Sequence, residues 1–410
     1  MKKSIQRAFL KSALIVCILL VCVLSASVIR LALFDGQESS QTAANPEGTA
    51  QSSAPGADAA FAPLDNAGQA SASGADAAFD TGKSSLSDNS STAEDADTTL
   101  VFAGDVYFSD YVLAAYQQSG IQGVLGTSLR KELKRADLAI VNNEFPYSTR
   151  GTPAPDKQFT FRVDPAYVSL LTESGVDVVT LANNHVLDYG TEALADTFQT
   201  LKNAGIAYVG AGNSLKRAEK LITKKANGHT FGFLAASRVF PDVSWNVENQ
   251  APGVLSAYDP SRLLAAVKAA RSKCDFLCVY VHWGIERNTT PEPYQTDMAH
   301  ALIDAGADAV IGAHPHVLQG VEMYQGKPIF YSLGNFIFYQ TIAQTAVAKL
   351  TVSSDHTVSW QLIPAQAANA CTTLITEPAA RQQFYDAMAQ LSANVRFSKK
   401  GVLKPVADTQ

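Results

Sequence analysis

Short apolar runs that end in a polar, metal-competent side chain recur along this chain, and they constrain its fold more than any other feature. "TLVFAGD", "ADLAIVNNE" and "VDVVTLANNH" come first, and "DFLCVYVHWG", "ADAVIGAHPHV" and "PIFYSLGNF" follow. Near-continuous hydrophobicity over so short a length reads as a strand buried on both faces. Between these runs lie helical patterns: Ser128 to Arg135, "DPAYVSLLTESG" with Asp164 as its cap and Pro165 in the first turn, and "TEALADTFQTLKNAG" closing at Gly205. "DPSRLLAAVKAARSKC", "PYQTDMAHALIDAG" and, near the C-terminus, "TEPAARQQFYDAMAQL" are also helical. Strand and helix alternation implies α/β with parallel pairing. Hairpin turns at Asn227-Gly228, at Gln325-Gly326 and near Ser354-Asp355 add antiparallel strands. A mixed sheet, or a sandwich of two mixed β-sheets flanked by helices, fits better than a pure doubly wound fold.

The ends of the apolar runs carry Asp105, Glu144, Asn184 with His185, His282 with Glu286, His314 with His316, and Asn335. In open α/β sheets the C-terminal strand ends face the ligand crevice. Turn chemistry explains any one of these residues, because Asn tolerates left-handed backbone and bonds its own main chain. It does not explain the whole set, which takes four of the seven histidines. Carboxylate, amide oxygen and imidazole together suit Mn, Fe or Zn, with a carboxylate as bridge if two ions bind. No cysteine joins them, so the pattern points to an open hydrolytic centre rather than a closed structural zinc. Asp188 reads as the N-cap of the following helix. Pro315 keeps His314 and His316 out of a helix, in an extended or turn geometry that lets both imidazoles address one centre.

Outside this region the composition changes. Lys2, Lys3, Arg7 and Lys11 precede an apolar stretch from Ala13 to Ile29, about the length that crosses a bilayer as a helix with its positive flank inside. Residues 1–34 therefore read as an uncleaved transmembrane signal-anchor that leaves the remainder extracytoplasmic. Cleavage near Ser25-Ala26 fits less well because the stretch exceeds a signal peptide's apolar region, and lipidation of Cys22 fits less well because Val21 is bulky. Residues 35–97, rich in Ala, Ser, Gly and Asp and carrying "GADAAF" twice, read as a disordered linker. Residues 98–345 form the main folded region, and 346–410 complete it with a hairpin and a helix. Cys274 and Cys278 span ~13 Å along a strand, too far to bridge, and read as core thiols. A net charge of −6 without a basic stripe argues against nucleic acid. Lys131, Lys134 and Arg135 on one helix are candidates for a polyanion patch, although a solvated helix face is the commoner meaning of such residues.

In this order, "FAGDV", "VNNEFP", "LANNHVLDYG", "VHWGIE", "GAHPHV" and "YSLGNF" resemble the motifs of the CapA family of bacterial poly-γ-glutamate capsule proteins, over about Thr98 to Phe338. The resemblance implies a fold related to the calcineurin-like metallophosphoesterases, with metal ligands on the loops after the strands. It assigns one or two divalent ions (Mn, Fe or Zn) to Asp105, Glu144, Asn184, His282, His314 and His316. His185 would act as general acid on an amide or phosphoryl centre, with Asp188 orienting it and Glu286 in the catalytic pocket. Asn143, Asn183, Trp283 and Asn335 would line the substrate site. Two departures from the phosphoesterase pattern stand out: Tyr107 occupies the place of a histidine ligand, and Glu144 that of a bridging aspartate. The expected function is that of a membrane-anchored CapA-type protein in poly-γ-glutamate synthesis, export or anchoring, through a metal-dependent hydrolase-like or transferase-like site. Its partners would be that polymer, or another envelope polymer, and the membrane subunits of a capsule synthase. An envelope phosphatase or phosphodiesterase, which Tyr107 weighs against, and a non-catalytic polymer-binding scaffold are the alternatives.

Overall fold

Two mixed β-sheets packed face to face, with helices against their outer sides, form the computed structural model, which describes residues 97–249 and 251–406. The expected anchor and residues 35–96 of the linker lie outside the described residues. Among the described residues no helix is long and apolar enough to cross a membrane.

The first sheet contains β1 (Thr98–Val106), β2 (Leu138–Asn143), β3 (Val178–Thr180), β4 (Ala207–Val209), β13 (Asn335–Ile337), β14 (Ile342–Val352), β15 (Val358–Ala368) and β16 (Cys371–Leu374). Its order is β16-β15-β14-β1-β2-β3-β4, with β13 beside the end of β1. The second contains β6 (Ile222–Ala226), β7 (His229–Ser237), β9 (Phe276–His282), β10 (Ala309–Ala313), β11 (Val321–Tyr324) and β12 (Lys327–Phe330), in the order β11-β12-β10-β9-β7-β6. Two short ribbons pair β5 (Ala211–Gly212) with β8 (Gly253–Val254) and β17 (Val395–Phe397) with β18 (Leu403–Pro405). The three expected hairpins appear as β6–β7, β11–β12 and β14–β15.

Alternation along each strand decides which layer a side chain joins. In β1, Leu100 and Phe102 point between the sheets, where they meet Phe233, Tyr280, Phe330 and Trp360, while Val101 and Ala103 face the helices. In β9, Cys278 and Tyr280 face the sheet interior and Leu277, Val279 and Val281 the outer helices. The first sheet's outer side is covered by α1 (Asp110–Ser119), α2 (Thr127–Arg135), α3 (Ser169–Ser174) and α4 (Gly190–Asn203). The second is covered by α5 (Leu215–Ala218), α6 (Ser261–Ala270) and α7 (Pro293–Asp304), and α8 (Pro378–Leu391) packs Phe384 and Met388 into the inter-sheet core. Helix α1 has no counterpart in the sequence reading: Val112 is its one fully buried residue, with Leu113, Ala115 and Tyr116 half-buried against the core. Lys131, Lys134 and Arg135 are exposed on α2. Cys274 and Cys278 are buried free thiols.

Strand β14 pairs with β1 from Thr98↔Val352 to Phe102↔Ala348, so a boundary at 345/346 falls inside a central strand. Beyond that stretch, β1 is held by β13 on the same side, with Asp105 opposite Asn335. Gly104 makes the approach possible: a Cβ there would lie 1.8 Å from the Gly334 carbonyl oxygen, which accepts the Asp105 N–H at 2.9 Å. Gly104→Ala forces the two backbones apart, and a loss of roughly 2–4 kcal/mol in urea unfolding is expected. An unchanged midpoint would show that the approach is not a constraint.

Candidate metal centre

Parallel register carries the strand-end residues to one place. Asp105 in β1 stands opposite Asn142 in β2, and the chain leaves β2 directly into Glu144, whose N–H donates to Val106 O at 2.9 Å. From the second sheet, His282 at the end of β9 aligns with Ala313 in β10, so His314 and His316 follow beside it. The His314 N–H crosses back to Asp105 Oδ2 at 3.2 Å.

Asp105, Glu144, Asn184, His282 and His314 are all buried. Asn142 Nδ2 donates to Asp105 Oδ1 at 2.8 Å and to Glu144 Oε1 at 3.0 Å, holding two carboxylates that would otherwise repel. His282 Nε2 and Asn184 Oδ1 are 2.8 Å apart, and His282 Nδ1 lies 3.4 Å from Glu144 Oε1. His316 Nδ1 lies 2.8 Å from Asn335 Oδ1 and 3.4 Å from Asp105 Oδ2. Donor atoms of Asp105, Glu144 and His316 all lie within 4.8 Å of one another, as do those of Glu286, His314 and His316.

The electrostatics describe a site short of positive charge. Burial, then the charge of Asp105, pushes the Glu144 carboxyl well above its usual range. Burial and the neighbouring imidazoles push His282 down, and His314 falls to about 3, chiefly through burial. Burial alone would also lower His316, but Glu144 and Asp105 raise it to about 10. Glu144 Oε2 and His314 Nδ1 are sealed from solvent without a hydrogen-bond partner. Neutral His282 and His314 beside buried carboxylates with spare lone pairs are what a divalent cation binds, and His316 would release its proton when such an ion binds, so the residues fit it.

His314 (φ 98°) and His316 (φ 58°) both adopt left-handed backbone around Pro315. The segment is therefore a strained turn, not an extended run, and the turn brings the two ring centroids to 5.9 Å. Residues with a Cβ adopt such conformations only where the surroundings enforce them.

His185 stands at the rim of the cluster. Its Nδ1 lies 2.7 Å from Asp188 Oδ2 and 3.0 Å from Lys157 Nζ, which together fix the ring, and Nε2 is free of protein partners. Burial lowers its pKa against the pull of Asp188, so the resting imidazole is neutral. Phe161 stacks on the ring at 3.9 Å and is stacked in turn by Tyr107 at 3.9 Å. Tyr107 is thus a wall of the pocket, its hydroxyl raised to about 12 by burial and then by Asp110.

Several expectations are corrected by this geometry. Asp188 does not cap α4, whose N-terminal flank is Tyr189 without a side-chain cap; its carboxylate instead binds His185, the Phe161 N–H and Lys157 Nζ. Trp283 is fully buried among the residues under the outer helices and donates Nε1–H to Tyr331 O at 2.9 Å, so it touches no substrate. Asn143 and Asn183 are also fully buried: Asn143 Nδ2 donates to Phe145 O, and Asn183 Nδ2 to Asn143 O and Asn142 Oδ1. They brace the loops, and Asn183 Oδ1 accepts the His185 N–H at 3.0 Å. Asn335 begins β13 instead of ending a strand, yet still meets the cluster. Asn142, Lys157 and Phe161 were not anticipated. A hint existed only for Asn142, which alternation places on the same side of its strand as Glu144.

From the centre a groove of about 820 Å³ leads past Phe161, Glu286 and Tyr339 to Met388 and Leu391 on α8.

Residues 99–340 match the family model described as "Bacterial capsule synthesis protein PGA_cap". The chain is 34% identical over 249 residues to the "PGA biosynthesis protein CapA" of Bacillus subtilis, covering 60% of this chain and 64% of that one. It is 33% identical over 259 residues to the "Capsule biosynthesis protein CapA" of Bacillus anthracis, covering 62% of each. The chain thus spans a little under two thirds of the length of these relatives. Among solved structures, a 5'-nucleotidase from Candida albicans overlays with a TM-score of 0.39 at 12% identity, covering 66% of this chain and 52% of that one.

Lys157 and Asp188 form a buried ion pair, so removing one charge strands the other. Asp188→Asn is expected to cost about 3 kcal/mol in urea unfolding, and adding Lys157→Met should recover part of that loss. If Asp188→Asn alone unfolds like the parent, the pair does not hold the loop.

Proposed function

The chain belongs to the bacterial capsule synthesis family PGA_cap, and on that premise we propose that it acts in the synthesis, export or attachment of poly-γ-glutamate, through a metal-dependent hydrolase-like or transferase-like site. The observation that carries this reading is the meeting of Asp105, Glu144, His282, His314 and His316 around unpartnered buried donor atoms. The basic flank and apolar stretch before residue 30 support a single-pass anchor with the folded part outside the cell membrane. Membrane subunits of a capsule synthase are the partners proposed with it.

Asp105, Glu144 and His316 would hold a first divalent ion of the Mn, Fe or Zn type, with Asn184 and His282 adjoining and Glu286 and His314 extending the donor set. When bound, such an ion polarises the scissile group and acidifies water. The protein's own part begins with Asn142, which holds the two carboxylates in place. Asp188 holds the His185 ring through Nδ1 and aims Nε2, and Phe161 shields one face of that ring. Nε2 then takes a proton from the attacking group and returns it to the leaving nitrogen or oxygen, helped by the Asp188 carboxylate behind it. Tyr107, walled into an aromatic stack, offers no ligand of the phosphoesterase kind, and this favours an amide over a phosphoester substrate.

Elemental analysis of the purified protein beside a His314→Ala, His316→Ala variant, both prepared without chelators, tests the site. At least one equivalent of metal in the parent and loss of most of it in the variant are expected, together with reduced capsule polymer in cells carrying the variant. Metal-free parent protein would sink the hydrolase reading.

A further inference from the structure

The groove leaving the metal centre has an uneven charge that bears on what it accepts. Its walls are mostly aromatic and aliphatic, and Phe159 and Tyr339 stand 62% and 48% exposed at its mouth. Neutral polar groups come from Thr289, Thr341 and Gln344. Among the lining residues there is one lysine or arginine, Arg287. Of the other basic groups of this region, Lys157 is occupied by Asp188, and His316 faces Asp105 and Glu144. Arg287 is exposed, and its guanidinium has no ion-pair or hydrogen-bond partner among the described residues.

Its backbone is unusual as well. Arg287 has φ 61°, a left-handed conformation that costs a residue with a Cβ, and its N–H is fixed to Pro315 O at 2.8 Å. Pro315 lies between the two histidines of the strained turn, so the position of Arg287 is tied to the metal centre itself. Neighbouring Glu286 contributes its carboxylate to the His314 and His316 group, and an ion bound there would offset that charge. The Arg287 guanidinium then remains at the groove wall to meet whatever lies in it.

We propose that Arg287 is the substrate-anchoring residue of this groove, binding a pendant α-carboxylate of an amide-linked polyanion while the next linkage reaches the metal centre. This rests on the reading of the protein as one that handles poly-γ-glutamate. A planar guanidinium suits a carboxylate because it donates two parallel hydrogen bonds, which a lysine ammonium does not reproduce.

The test is equilibrium binding of a short γ-linked glutamate oligomer to the full chain and to Arg287→Gln, Arg287→Lys and Arg287→Gly, with metal content measured on each. The glycine variant removes the side chain at a position whose backbone glycine adopts freely, so its fold is not at risk. Loss of one charge-assisted contact is expected to weaken binding about tenfold in the glutamine and glycine variants. The lysine variant should lose less, and metal content should stay at the parent level. An oligomer with its carboxylates converted to amides should bind the parent and Arg287→Gln equally weakly. Parent-like binding by Arg287→Gln overturns the proposal and leaves the polymer reading intact. So does an equal loss on changing Lys131, Lys134 and Arg135 to glutamine, since those cations lie outside the groove. If the parent does not bind the oligomer at all, the polymer reading falls and the anchoring role falls with it.

Discussion

Two carboxylates, Asp105 and Glu144, lie buried side by side between the strand ends, and the rest of the site is arranged around that repulsion. Both are fully buried, and in a low-dielectric interior the charge of Asp105 adds to the cost of ionising Glu144. Asn142 offers its amide to both, and their combined charge draws in the His316 ring. A pair of this kind would be a defect in a purely structural core. It becomes favourable where a dication arrives, and the same repulsion that penalises the empty site adds to the binding energy of the ion.

Rigid geometry keeps that pair in place. Parallel strands of one sheet supply Asp105, Glu144 and Asn184, strands of the other supply His282, His314 and His316, and Tyr280 joins the two sheets by donating its hydroxyl to Ala103 O at 2.8 Å. Beside the cluster, the turn around Pro315 and the neighbouring Arg287 depart from relaxed backbone. The turn's strain is tolerable because both flanks are anchored, by the His314 N–H on Asp105 and by Pro315 O on the Arg287 N–H. Function is thus built on stiff elements, with the flexible chemistry of loops confined to the groove side.

Much of this was readable before any coordinates, for a physical reason. Strands buried on both faces must be written in continuous apolar letters, so the place where the letters turn polar marks the strand end and, with it, the crevice. What alternation does not encode is which polar residue at a strand end faces inward. Asn143 and Asn183 look like their neighbours Asn142 and Asn184 in sequence, yet they tie loops together, and Trp283 fills the layer under the helices although it follows a histidine of the site. Lys157 and Phe161 were invisible because they reach His185 from a loop more than twenty residues away with no periodicity of its own. Asp188 was read as a helix cap because local chemistry allows it; tertiary partners claimed its carboxylate instead.

Strand β1 is the first described strand in the chain and lies in the middle of its sheet, flanked by β2 on one side and β14 on the other. During synthesis it emerges early, but its β14 neighbour is not available until residue 352 has been made. Until then a very hydrophobic strand keeps one open edge, a state prone to pairing with other chains. The first sheet therefore closes last across its longest sequence separation, and such pairings fold slowly because the loop must close before the contact rewards it. Truncation anywhere before β14 leaves not a smaller domain but an open-edged sheet.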